Sequence, residues 1–222
     1  MTKIIYIGDS TVQFNRIDTY PQTGMSQVLP IFTREGIVVC PHGKNGRSTK
    51  SFLEEGLFAP VRQQLEAGDF LLIQFGHNDE KADPARYTEP FGSFQENLRF
   101  YIREAREKGA YPVLITPIAR RFFNEDGLFR PGSHGQYPEA MRQVGAAENV
   151  PVADLTAITE AYLAKLGDEA SKPLYVWPRD NSHLKVEGAF IYAGFLCKEL
   201  ERFGKPYQDL LYIQEPEEQF VD

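Results

Sequence analysis

Phe70-Leu71-Leu72-Ile73-Gln74-Phe75 is apolar at every position but Gln74. It reads as a strand buried on both faces, and such strands lie at the centre of a parallel sheet. Residues 3–7, 37–40, 111–115 and 150–153 are further short apolar runs with strand character. Helical patterns fill the intervals. Residues 23–34 carry Met25, Val28, Leu29 and Phe32 at helical spacing. Ser48 is placed to cap a short helix toward Glu54. Segments 60–66, 91–108, 137–148, 156–166 and 186–203 continue the alternation. Strands alternating with helices specify an α/β fold, here with a five-stranded, mostly parallel sheet. Residues 117–136 and 167–182 lack a period and read as long loops, which in a compact domain are functional or mobile.

The chain of 222 residues is 42% hydrophobic and 25% charged, the balance of an ordinary globular protein with a substantial core. No linker divides it, so residues 1–222 are expected to form one domain, with a solvated acidic tail over about residues 206–222. No stretch approaches the roughly 20 apolar residues of a membrane span. The first apolar run is closed by Asp9 and reads as a strand, not a signal peptide, so a cytoplasmic protein is expected. Cys40 and Cys197 are expected to be buried thiols. No metal-ligand spacing is present and no cofactor is expected. A net charge of −7 argues against nucleic acid as a partner, and it requires that an anionic substrate meet local cations.

In open parallel sheets ligands bind beyond the carboxyl ends of the strands. Gly8-Asp9-Ser10-Thr11 follows the first strand, Asn45-Gly46 the second and Gly76-His77-Asn78-Asp79 the third, so all three reach the same edge. A late loop adds Asp180-Asn181-Ser182-His183. Each string alone is an ordinary turn or helix cap. Together they supply what an acyl transfer needs. Ser10 is a nucleophile that requires a base. Of the four histidines, His183 alone has an aspartate, Asp180, three residues before it to fix its tautomer. The Ser10 N–H, the Gly46 N–H and the Asn78 amide are candidate oxyanion donors, with glycine at 46 allowing close backbone approach and a helix after Ser10 adding its positive end. Arg47, Lys50, Arg120, Arg121 and Arg179 lie in or beside the loops as candidate contacts for an anionic substrate, and Trp177, Phe122 and Phe123 are candidates for stacking on a sugar ring. Activity should rise with pH as His183 loses its proton.

These residues resemble the SGNH, or GDSL, hydrolase superfamily, whose four blocks correspond to Ser10, Gly46, Asn78 and His183. The longer strings Ile7 to Gln13, Asn45 to Ser48, Gly76 to Asp79 and Asp180 to His183 are similar to the rhamnogalacturonan acetylesterases of carbohydrate esterase family 12, which commonly have threonine where this chain has Ser182. The resemblance implies a flavodoxin-like three-layer α/β/α sandwich, no metal, and hydrolysis of acetyl esters on a pectin-derived oligosaccharide. Two alternatives stand beside it. One is an esterase of the same superfamily acting on acetylated xylan oligomers, acyl thioesters or lysolipids. The other is a non-catalytic flavodoxin-like module binding a phosphate at a helix N-terminus, although the glycine spacing of such sites is missing. The sequence does not specify an oligomeric state.

Overall fold

The computed structural model describes residues 1–212. Five strands, β1 (Lys3–Gly8), β2 (Val38–Pro41), β3 (Phe70–Gln74), β4 (Tyr111–Ile115) and β5 (Val152–Ala153), form one sheet in the order β2-β1-β3-β4-β5. Every adjacent pair is parallel. The apolar run that opened the sequence reading is the middle strand, with Ile73 opposite Ile7 on one side and Leu114 on the other.

Alternation along the strands divides the core in two. Ile4, Tyr6, Leu72, Val113 and Ile115 face one layer, where they meet α1 (Met25–Val28), α6 (Leu155–Leu166) and α8 (Val186–Arg202) through Met25, Leu163, Tyr192 and Leu196. Ile5, Ile7, Leu71, Ile73 and Leu114 face the other layer. There they pack on α2 (Thr49–Glu54), α3 (Phe58–Gln64), α4 (Gln95–Glu107) and α5 (Tyr137–Glu148) through Phe52, Val61, Leu98 and Val144. Period-two strands thus place helices on both faces, the flavodoxin-like sandwich. Gln74, the polar exception, is fully buried and accepts a hydrogen bond from the Tyr6 hydroxyl.

Several local expectations change. The helix expected over 23–34 is α-helical only over Met25–Val28 and tightens to a 3-10 turn over Leu29–Phe32, where Pro30 has no N–H to continue the α pattern. The loop expected over 167–182 contains a short helix, α7 (Asp168–Ser171), and a 3-10 turn over Lys172–Leu174. The 117–136 loop is anchored: Ile118, Ala119, Arg121 and His134 are buried, and Phe123 pairs with Phe129. The solvated tail does not begin at 206. Tyr207–Leu210 is a 3-10 turn, Leu210 and Leu211 are buried, and Leu211 pairs with Thr33. The acidic residues Glu215, Glu217, Glu218 and Asp222 lie outside the described residues.

The sheet order reverses between β1 and β3, and the crevice at their carboxyl ends is where such sheets bind ligands. Ser10 follows β1 and Asn78 follows β3. Among the described residues no helix is long and apolar enough to cross a membrane. Cys40 and Cys197 are both free thiols.

Candidate active site

Ser10 sits in a turn closed by the Val12 and Gln13 N–H groups, which donate to the Asp9 carbonyl at 3.2 and 3.0 Å. No helix starts here, so the positive helix end expected behind Ser10 is absent; the next helical turn is Ile17–Thr19. Asp9 holds the turn from within, its Oδ1 accepting from the Thr11 N–H at 2.9 Å and hydroxyl at 2.8 Å. Burial opposes the Asp9 charge, but the His77 ring and both Thr11 donors outweigh it and keep the carboxyl below its usual range.

His183 arrives from the other end of the chain on a folded loop. Tyr175 pairs with Leu184, the Val176 N–H donates to the His183 carbonyl at 2.9 Å, and the Arg121 N–H donates to the Asn181 carbonyl at 2.8 Å. The 117–136 loop therefore braces the histidine loop. His183 Nε2 lies 2.9 Å from Ser10 Oγ, and its Nδ1 lies 2.7 Å from Asp180 Oδ2. An ionised carboxylate only accepts, so Nδ1 carries the proton and Nε2 presents its lone pair to the Ser10 hydroxyl. Asp180 Oδ1 also accepts the Ser182 and His183 N–H groups at 2.6 and 2.7 Å. Partial burial raises the Asp180 pKa, yet the His183 ring and these two N–H groups hold the carboxyl far below its ordinary range.

Asn78 is buried, and its amide donates one N–H to the Arg47 carbonyl at 3.1 Å, the second having no acceptor among the described residues. No hydrogen bond among the described residues takes up the Ser10 or Gly46 N–H. Gly46 has φ +76°, and nothing lies within 4 Å of where its Cβ would be. The left-handed backbone is a reason for glycine at this position. Gly8 shows the crowding instead, since a Cβ there would stand 2.4 Å from the Gln74 carbonyl oxygen of β3.

The candidate substrate cations fare unequally. Arg121 is buried, ion-paired with Asp168, bonded to the Ser171 hydroxyl at 2.9 Å and stacked under Trp177 at 4.5 Å. It is a structural arginine and does not face solvent. Arg120 is largely buried, paired with Glu80 and donating to the His77 carbonyl. Arg47 is held by Glu55 at 2.7 Å and by the Asn45 carbonyl at 2.9 Å. Lys50 donates to the Pro84 carbonyl at 2.7 Å. Arg179 is exposed and has no ion pair among the described residues, and Trp177 beside it is 39% exposed. Phe122 and Phe123 are half-buried, and Phe123 packs on Phe129 and Arg121.

Two further buried groups border the site. Asp79 is fully buried, with Oδ1 accepting from Thr49 N–H, Thr49 Oγ1 and Thr88 Oγ1 at 3.0, 2.5 and 3.0 Å, while Oδ2 has no hydrogen-bond partner among the described residues. Burial raises its pKa to about 7. His77 is buried against Asp9 and the ring of His134. The paired Asn-Asp and His in one short string were the only sequence signal for either.

A model of the GDSL-like lipase/acylhydrolase family matches residues 6–189. The chain is 38% identical to a rhamnogalacturonan acetylesterase, RhgT, of Bacillus subtilis over 228 aligned positions, covering 97% of each chain. It is 38% identical to a probable rhamnogalacturonan acetylesterase, YesY, of the same organism, covering 93% of this chain and 96% of that one. Among solved structures, the Bacillus subtilis protein YxiM superposes with a TM-score of 0.81 at 25% identity, over 93% of this chain and 58% of that one.

Proposed function

The chain belongs to the GDSL-like lipase/acylhydrolase family, and from that premise we propose that it is a serine esterase that removes acetyl groups from a pectin-derived carbohydrate. One observation carries the reading: Ser10, His183 and Asp180 lie in a hydrogen-bonded line of 2.9 and 2.7 Å. The acetylated-pectin assignment draws on the relatives that align along nearly the whole chain.

In the proposed mechanism His183 Nε2 takes the Ser10 proton as Oγ attacks the acetyl carbonyl carbon. The developing oxyanion accepts from Ser10 N–H, Gly46 N–H and the free Asn78 N–H. Asp180 stabilises the imidazolium and keeps its orientation. His183 then delivers its proton to the departing sugar oxygen, and the acetyl group remains on Ser10. Water enters, gives a proton to the same Nε2 and attacks the acetyl-serine, and collapse releases acetate and restores the Ser10 hydroxyl. Arg179 and the outer face of Trp177 are the proposed contacts for an anionic sugar, because the other candidate cations are held by internal partners. A role in pectin breakdown and a cytoplasmic location belong to the same proposal; the two free thiols suit a reducing compartment.

The test is acetate release from acetylated rhamnogalacturonan oligomers, acetylated xylan oligomers and p-nitrophenyl acetate, with Ser10→Ala as control. Faster release from the pectic oligomers than from xylan, abolished in the variant, is expected. Full activity in a folded Ser10→Ala protein overturns the mechanism, and preference for xylan overturns the substrate.

A further inference from the structure

The triad loops are tied together by a segment that the mechanism does not use. Gln22 is half-buried, and its side-chain amide reaches two loops at once. Nε2 lies 3.2 Å from the Ser10 carbonyl oxygen and 3.3 Å from Asn45 Oδ1. The backbone carbonyl only accepts, which fixes the NH2 end of Gln22 toward it and in turn fixes Asn45 with its oxygen toward Gln22. An NH2 group has two hydrogens, so each acceptor receives one.

The neighbours of Gln22 extend the tie. The Thr23 N–H donates to the Leu184 carbonyl at 2.8 Å, one residue after His183, and the Met25 N–H donates to the Thr11 carbonyl at 2.8 Å. From the other side of the same loop, the Asn45 N–H donates to Gln13 Oε1 at 2.5 Å. Residues 22–25 thus bond to the nucleophile turn, to the loop that carries Gly46, and to the histidine loop.

We propose that Gln22 is a positioning residue that sets the register between Ser10 and Gly46, and so the geometry of the oxyanion donors. The inference rests on the Ser10–Gly46 reading above. The Ser10 carbonyl and the Asn45 side chain flank the two N–H groups that must converge on one oxygen. Their loops come from different strand ends, and no backbone hydrogen bond joins Ser10 to Asn45 or Gly46 among the described residues. Gln22 alone ties the Ser10 carbonyl itself to the Asn45 side chain, beside the Gln13–Asn45 bond and the Lys44 N–H to Gly8 carbonyl bond at 2.9 Å that join the same two loops, and small errors of placement around a reacting centre lower the rate steeply. Its effect belongs to the transition state, since the oxyanion forms only there.

The experiment compares Gln22→Met and Gln22→Glu with wild type. Methionine keeps the length and loses both hydrogen bonds. Glutamate keeps the shape and turns an acceptor toward the Ser10 carbonyl. With p-nitrophenyl acetate, kcat should fall about tenfold in Gln22→Met, about 1.4 kcal/mol of barrier, and further in Gln22→Glu. KM should stay within about twofold, because ground-state binding is untouched. The rate of Ser10 labelling by a fluorophosphonate should fall by the same factor as kcat, at unchanged thermal midpoint. Wild-type kcat in both variants, or losses that track the thermal midpoint instead, overturns the proposal. Ser10→Ala run in parallel separates the two readings: an inactive Ser10→Ala with a fully active Gln22→Met leaves the esterase and removes only the role of Gln22, whereas an active Ser10→Ala removes both.

Discussion

Asp9 Oδ2 and His77 Nδ1 stand 3.4 Å apart, both buried, and join the turn that carries Ser10 to the turn that carries Asn78. The separation is a contact and not a well-formed hydrogen bond, and both His77 ring nitrogens lack a hydrogen-bond partner. Burial, with the His134 ring alongside, lowers the His77 pKa to about 4.

That lowering makes stability fall in acid. Between pH values of about 6.5 and 4 the unfolded chain takes up a proton at His77 and the folded chain does not, so folding is penalised as pH falls through that window. The contribution is on the order of 3 kcal/mol across the window. Urea midpoints measured at several pH values should show His77→Gln gaining stability relative to wild type as pH falls from about 6.5 to 4. An identical acid-side slope in the variant would refute the assignment.

Asp79 acts with the opposite sign. Its folded pKa of about 7 lies above the unfolded carboxylate value of about 3.9, so the folded chain holds the extra proton and stability falls as pH rises through that interval. From about pH 4 to 6.5 the two slopes partly cancel in wild type. Asp79→Asn removes the loss toward neutral pH and leaves the His77 term alone. Its stability relative to wild type should improve from pH 5 to pH 8, by on the order of a few kcal/mol. Parallel pH profiles for the two proteins would contradict this.

Asp180→Asn should leave the fold intact and lower kcat by about 10³-fold or more, because an amide in its place permits the wrong His183 tautomer. The Asp180 carboxyl is held so low that it stays ionised over the working pH range, so no acidic limb of the rate profile should belong to it. Steady-state kinetics from pH 5 to 9 decide the matter, and near-wild-type kcat in the variant would remove Asp180 from the mechanism.

Arg121 and Arg179 should separate stability from recognition. Arg121→Ala removes a buried guanidinium that holds Asp168, the Ser171 hydroxyl and the Trp177 ring together, and should destabilise the protein by on the order of 2–3 kcal/mol. Arg179→Glu should leave the thermal midpoint unchanged and raise KM for an acidic acetylated oligosaccharide, with no change for p-nitrophenyl acetate. Equal KM effects on both substrates would rule out a charge contact at Arg179.

The strands, and the meeting of Ser10, Asn78 and His183 at one edge of the sheet, were legible because their signals are local. An apolar run such as Phe70 to Phe75 reports its own burial, and strand ends such as Ser10 and Asn78 share an edge by topology. The fate of Arg121 was not legible. Whether an arginine faces solvent or an aspartate 47 residues away depends on how two loops pack, and no spacing encodes that. The same holds for Gln22, whose partners are 12 and 23 residues distant, and for the unpartnered oxygen of Asp79. Helix 23–34 failed for a local reason that the sequence did display, Pro30 in its middle.

Ser10 leaves the first strand of the sheet, while His183, its proposed base, comes 173 residues later and is followed at once by α8, which packs against α1. During translation the nascent chain therefore holds a nucleophile turn with no base through most of its synthesis. On the proposed mechanism, hydrolysis requires the histidine loop in place, where the Thr23 N–H donates to the Leu184 carbonyl. On that mechanism, a product that ends before His183 is expected to show no ester turnover.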